Sequence, residues 1–252
     1  MLGFPKWRHQ RTARRAPRVP ADLRVYVVGD IHGRADLLAR LHDRILADAA
    51  KAAGRRTAVY LGDYVDRGHG AKAVLEILSG PPLPGFESVF LKGNHEEAML
   101  DFLDGKTDGA DWLGHGGQAT LASYGVTLAT GAGPAEKLAD ARERLRSRLP
   151  PHHESFLRRL LPRFGIGDYL CVHAGIRPGI ALDRQQERDL LWIRREFLDS
   201  PADHGAVVVH GHSVSPEPEL RGNRIGIDTG AFATGRLTCL VLEDDTQRLL
   251  QA

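Results

Sequence analysis

Seven short apolar runs recur along the 252 residues, most of them rich in β-branched residues: RVYVV (24–28), TAVYL (57–61), SVFL (88–91), YLCV (169–172), AVVV (206–209), RIGI (224–227) and LTCLVL (237–242). Runs of this length, bounded by glycine and polar residues, read as strands. Between the early ones lie helical patterns with their apolar residues on one face: Leu37, Leu38, Leu41, Ile45 and Leu46, then Ala73, Val74, Ile77 and Leu78, then 96–103. Strand alternating with helix predicts an α/β fold built from βαβ units with a mostly parallel sheet. The middle third reads as a helical insertion, with charged segments at 136–149 and 153–161 set off by Gly and Pro. The last third returns to strands without long helices between them, which predicts hairpins and a second sheet packed on the first.

At 42% hydrophobic content the chain is long enough to bury one large core. The net charge of +2 is unevenly spread, because residues 1–20 hold Lys6, Arg8, Arg11, Arg14, Arg15 and Arg18 and no acid. We therefore expect a basic, disordered arm over 1–21 and one domain over 22–252, with nucleic acid not an expected partner. No apolar run approaches the roughly 18–20 residues of a membrane span, and the N-terminal stretch lacks the apolar core of a secretory signal. Cys171 and Cys239 each sit within a strand-like run and are expected to be reduced core residues, which fits a cytoplasmic protein.

The chemistry lies where the strands stop. VVGDIHG ends in Asp30 and His32, YLGDYVDRG in Asp63, Asp66 and Arg67, LKGNHE in Asn94 and His95, CVHAG in His173, and VVVHGHS in His210 and His212. In an open α/β sheet these strand ends form the edge at which ligands bind. Carboxylate, amide and imidazole donors without a thiolate suit Mn²⁺, Fe²⁺ or Zn²⁺. The set is too large for one catalytic ion and suits two ions sharing a carboxylate. If Asp30 and Asp63 are the anionic ligands, a neutral Asn94 leaves such a pair with residual positive charge, which attracts a phosphoryl group and acidifies water. Arg67, in the same turn, can grip phosphoryl oxygens with two N–H groups.

These blocks, GDIHG, GDYVDRG, GNHE, HAG and HGHS, occur in an order that resembles the phosphoprotein phosphatase branch of the calcineurin-like metallophosphoesterases, over roughly 24–243. WLGHGGQATLASYG (112–125) and LLWIRREF (190–197) look more like the bacterial and phage members. The resemblance implies two packed β-sheets flanked by helices, with Asp30 and His32 on a first metal, Asp63 bridging, and Asn94, His173 and His212 on a second. Mn²⁺ is the first expectation for both sites, with Fe²⁺ or Zn²⁺ as alternatives. It further implies in-line attack of a bridging hydroxide, His95 as general acid oriented by Asp66, and Arg67 and Arg194 on the phosphoryl oxygens. The expected activity is that of a serine/threonine protein phosphatase acting on a phosphoprotein. The alternative is a small-molecule phosphohydrolase such as a dinucleoside tetraphosphate hydrolase; GNHE and GDYVDRG favour the first.

His115 stands where the bacterial members commonly carry Asn, so an exposed loop position is as good a reading for it as a substrate contact. His210 flanks the same glycine as His212 and is expected to support it rather than bind metal. Arg195 competes with Arg194 for the phosphoryl role. His42, His69, His152, His153 and His204 are expected at the surface, and AEKLADARERLRSR (135–148) as a solvated helix face.

Overall fold

The computed structural model describes residues 15–51, 54–129 and 133–252. Strands β1 (Leu23–Val28), β2 (Arg55–Tyr60) and β3 (Glu87–Phe90) are parallel, linked by helices α1 (Ala35–Ala49) and α2 (Ala71–Ser79). The antiparallel hairpin of β9 (Thr238–Glu243) and β10 (Thr246–Gln251) completes the sheet on the other side of β1, in the order β10-β9-β1-β2-β3. A second sheet holds β4 (Arg163–Ile166), β5 (Tyr169–Val172), β6 (Val207–His210), β7 (Glu219–Leu220) and β8 (Arg224–Gly226) in the order β4-β5-β6-β8-β7. Thus the predicted α/β class and two-sheet arrangement are present, with both sheets mixed.

The two-residue period of a strand explains the layers. Val25 and Val27 of β1 face between the sheets, with Val59, Leu61, Leu240 and Leu242 against Cys171, Val209 and Ile225. Tyr26 and Val28 point the other way, onto Leu37, Leu38, Leu41 and Ile45 of α1 and Val74 and Leu78 of α2. Both faces are covered, which is why the run is apolar throughout rather than alternating. On the far side of the second sheet, Leu170, Val172 and Val208 pack on Leu190, Ile193 and Phe197. The middle third is helical, with α3 (Asn94–Leu103), α4 (Ala110–Trp112), α5 (Gln118–Ser123), α6 (Pro134–Arg148) and α7 (Pro151–Arg158). Cys171 and Cys239 are buried and free.

Three expectations need correction. The basic arm is docked from Arg15 to Ala21 rather than free: Val19 is buried, the Arg18 N–H donates to Asp168 (2.9 Å), and the Arg18 guanidinium pairs with Asp245 (2.8 Å). The rest of the arm, 1–14, lies outside the described residues. His42 and His153 are buried, not at the surface. His42 Nε2 lies 2.9 Å from the Tyr60 hydroxyl, and His153 lies between the Tyr124 hydroxyl (2.8 Å) and Glu76 (3.0 Å). Finally β4, β7 and β10 were not among the expected runs; their residues are at best half-buried and more polar.

Burial of His42 has a measurable consequence, because it lowers the imidazole pKa to about 4. Between about pH 6.5 and pH 4 the unfolded chain binds a proton there that the folded chain does not, so stability is present above that window and is lost as pH falls through it. Relative to wild type, His42→Gln is expected to remove about 2 kcal/mol of the stability loss between pH 7 and pH 5. Urea unfolding of both proteins at the two pH values measures this; identical losses would contradict it.

Candidate metal centre

The C-terminal ends of β1, β2, β5 and β6, together with the start of α3, bring the polar residues to one end of the sandwich. Asp30, His32, Asp63, Asp66, Asn94, His95, His173 and His212 are all buried. Asp63 lies at the middle, with Oδ2 3.3 Å from His32 Nε2 and Oδ1 3.3 Å from His173 Nε2. The Asn94 side-chain oxygen is 2.9 Å from both His173 Nε2 and His212 Nδ1. Two groups of candidate ligand atoms, each lying within 4.8 Å of one another, follow: His32, Asp63 and His95, and Asp63, His173 and His212. Asp63 belongs to both. Asp30 sits beside them, where its Oδ2 accepts the His212 N–H at 2.9 Å.

The backbone is strained to achieve this. Among the described residues six non-glycine positions have positive φ, and five are His32, Asp63, Asp66, Arg67 and His212. Each such residue costs of order 1–3 kcal/mol, so the surroundings must hold it. Glu96 does so for the second loop: its carboxylate accepts the N–H groups of Asp63 (2.8 Å), Tyr64 (2.7 Å), Val65 (3.2 Å) and Gly93 (2.9 Å). Two glycines are needed for close approach. A Cβ at Gly211 would stand 1.9 Å from Asp30 Oδ1, and one at Gly93 2.2 Å from Asp63 Oδ1.

The donors fit a pair of divalent cations. Asp30 Oδ1 and His212 Nε2 are buried without a hydrogen-bond partner, an arrangement that needs a reason in a folded protein. Burial, and then the neighbouring Asp228 and Asp63 carboxylates, hold the Asp30 carboxyl well above its usual pKa. Burial pushes His212 down to about 2 and lowers His173, leaving both imidazoles neutral and able to donate a lone pair. At Asp63 burial acts upward, but His173, His95 and His32 outweigh it and keep the carboxylate ionised. A bound cation relieves the crowded carboxylates and uses the neutral imidazoles. The ring nitrogens Nδ1 of His32 and His173 lie 2.9 Å from the Val65 and Leu61 carbonyls, which fixes each ring and turns Nε2 toward Asp63.

His95 and Arg67 stand at the edge of this cluster. His95 Nδ1 is 2.7 Å from Asp66 Oδ2, which also accepts the Trp112 indole N–H (2.8 Å), while Thr120 Oγ1 donates to Asp66 Oδ1 (2.6 Å). Burial acts against charge on His95, but Asp63 and Asp66 prevail and raise its pKa. Arg67 Nη2 lies 3.3 Å from His95 Nε2, and its guanidinium stacks over Phe232 at 4.6 Å. Arg194 approaches from the other side, with Nη1 3.3 Å from the His212 carbonyl.

The remaining expected residues lie elsewhere. His115 is exposed with its ring against the Asp111 carbonyl (2.7 Å), and His210 is buried in the second sheet between the Gly211 carbonyl and Arg224. Sequence reasoning missed Glu96, Trp112, Thr120 and the buried carboxylate Asp228. Glu96 had a signal in GNHE; Trp112 and Thr120, 46 and 54 residues beyond Asp66, lie in the WLGHGGQATLASYG block, which carried a family resemblance but no role for either residue.

A family model for calcineurin-like phosphoesterases matches residues 23–240. The chain belongs to that family. It is 26% identical over 236 residues to a bis(5'-nucleosyl)-tetraphosphatase PrpE [asymmetrical] of Bacillus thuringiensis (strain Al Hakam), covering 85% of this chain and 88% of that protein. The fold resembles a crystal structure of a candidate diadenosine tetraphosphatase, with TM-score 0.61, 22% identity, and 92% and 99% of the two chains covered. It also resembles a serine/threonine phosphatase of Saccharomyces cerevisiae with TM-score 0.51 and 14% identity, covering 92% of this chain and 80% of that one. This metallophosphoesterase is thus a hydrolase acting on phosphoester bonds, and among its described residues no helix is long and apolar enough to cross a membrane.

Proposed function

We propose that this chain hydrolyses a phosphoanhydride of a dinucleoside polyphosphate, using two divalent cations, Mn²⁺ first and Fe²⁺ or Zn²⁺ as alternatives. Asp30, His32 and Asp63 hold the first and Asp63, Asn94, His173 and His212 the second. The observation that carries the reading is Asp63, whose two oxygens face imidazoles of separate donor groups beside the His95–Asp66 pair. When bound, such cations polarise phosphoryl oxygens and lower the pKa of water toward neutrality.

The chain's own residues supply the rest. Arg67 and Arg194 flank the donors from opposite sides and hold the phosphoryl oxygens; stacking on Phe232 limits where the Arg67 plane can point. The oxygen of a water that has released a proton to solvent bonds to phosphorus as the bond to the departing oxygen breaks, and that departing oxygen leaves with the electron pair. His95 gives it a proton from Nε2, because Asp66 holds Nδ1.

The substrate class draws its support from the tetraphosphatase relatives, which align along most of both chains. A second reading, a serine/threonine protein phosphatase, is favoured by the GDYVDRG and GNHE forms of the motifs. Turnover of diadenosine tetraphosphate and of phosphoserine and phosphothreonine peptides, each with saturating Mn²⁺, separates them. We expect kcat/KM for the dinucleotide to exceed that for either peptide; the reverse order would overturn the proposal in favour of the second reading.

A further inference from the structure

Beside the donor cluster, α8 (Glu187–Trp192), α9 (Arg195–Leu198) and the preceding loop enclose a hollow of about 920 Å³. Five arginines line it, Arg177, Arg184, Arg188, Arg194 and Arg195, against two carboxylates, Asp189 and Glu196. Both carboxylates are held by one of the five, Arg177, at 2.7 and 3.1 Å. Among the described residues the other four arginines have no carboxylate partner, so the hollow keeps a large excess of positive charge. The hollow meets the donor cluster at Arg194, 3.3 Å from the His212 carbonyl, and at Trp192, whose ring stands edge-on to His212 at 6.4 Å.

Trp192 does not behave as a core residue. Its neighbours Leu190, Leu191 and Ile193 are buried, whereas Trp192 itself is 43% exposed. Its indole N–H donates to Glu97 Oε2 at 2.7 Å, which fixes the ring while leaving it open to solvent. A fixed, open indole beside unpaired guanidinium groups matches a nucleotide: the ring stacks on the base and the arginines take the phosphates. A simple phosphomonoester has nothing to place here.

We propose that this hollow binds the leaving nucleotide of a dinucleoside polyphosphate, with Trp192 as the base platform and Arg184 and Arg188 as contacts to the polyphosphate chain. The assignment rests on the dinucleoside polyphosphate reading given above, and an acidic phosphopeptide is the competing occupant.

The test compares kcat/KM for diadenosine tetraphosphate, p-nitrophenyl phosphate and an acid-flanked phosphoserine peptide in the Mn²⁺-loaded enzyme. The Arg184→Gln/Arg188→Gln double variant and Trp192→Ala are each expected to lower the ratio of dinucleotide to p-nitrophenyl phosphate about tenfold. Arg→Lys at both positions and Trp192→Phe should recover most of it, because charge and stacking are retained; a merely structural role would not be rescued in this selective way. A wild-type enzyme that cleaves p-nitrophenyl phosphate but not the dinucleotide overturns both the substrate reading and the hollow's role. Wild-type turnover of the dinucleotide with ratios unchanged in the variants overturns the hollow alone. A larger loss for the phosphopeptide than for the dinucleotide overturns it in favour of a peptide groove.

Discussion

Replacing Asp63 by Asn is expected to lower kcat/KM for p-nitrophenyl phosphate by about 10³-fold or more and to reduce bound metal below two ions per chain. Asp63 faces both donor groups, Oδ2 toward His32 and Oδ1 toward His173, at 3.3 Å each. An amide keeps one oxygen but turns an NH₂ toward the other imidazole, where it cannot donate a lone pair. It also removes the one negative charge shared by both groups. Losing the Lewis-acid stabilisation of one cation costs several kcal/mol in the transition state, and about 4 kcal/mol corresponds to about 10³ in rate. Steady-state kinetics and metal analysis of the same preparations check both parts. A variant that keeps two ions and full activity would remove Asp63 from the bridging position.

The second large effect concerns His95 and depends on the leaving group. His95→Ala should reduce turnover of an alkyl phosphate about 10²- to 10⁴-fold, the usual range for a lost general acid. An alkoxide is a poor leaving group and needs the proton that His95 Nε2 supplies. A nitrophenolate or a polyphosphate leaves readily without one, so the loss on p-nitrophenyl phosphate or diadenosine tetraphosphate should be smaller. Asp66→Asn should follow the same order at reduced amplitude, because Asp66 acts through the His95 Nδ1 contact at 2.7 Å. Equal losses on every substrate would assign His95 to phosphate or metal binding instead.

How far the molecule was legible from its residues depended on where each signal lay. Runs such as RVYVV are buried on both faces and stand out by composition alone, whereas TQRLLQ in β10 mixes polar and apolar residues at the sheet edge and does not. The polar residues of the donor cluster were legible because each follows an apolar strand and has a glycine within two residues. The contacts that orient them were not, since Trp112 and Thr120 reach Asp66 from an insertion that has no local tie to it. His42 was readable in principle: it falls on the apolar face of α1 with Leu38, Leu41 and Ile45, and helix spacing should have outranked its polarity. The positive φ values of Asp63, Asp66 and Arg67 carried no signal, because DYVDR has none of the glycine that usually marks such a turn.

The paired-cation centre is tested most directly by a structure of the Mn²⁺-loaded protein with anomalous scattering used to locate the ions. We expect two ions joined by Asp63, one also bound by Asp30 and His32, the other by Asn94, His173 and His212. A single ion, or metal found only at a separate group such as Glu76, His152 and His153, would contradict it.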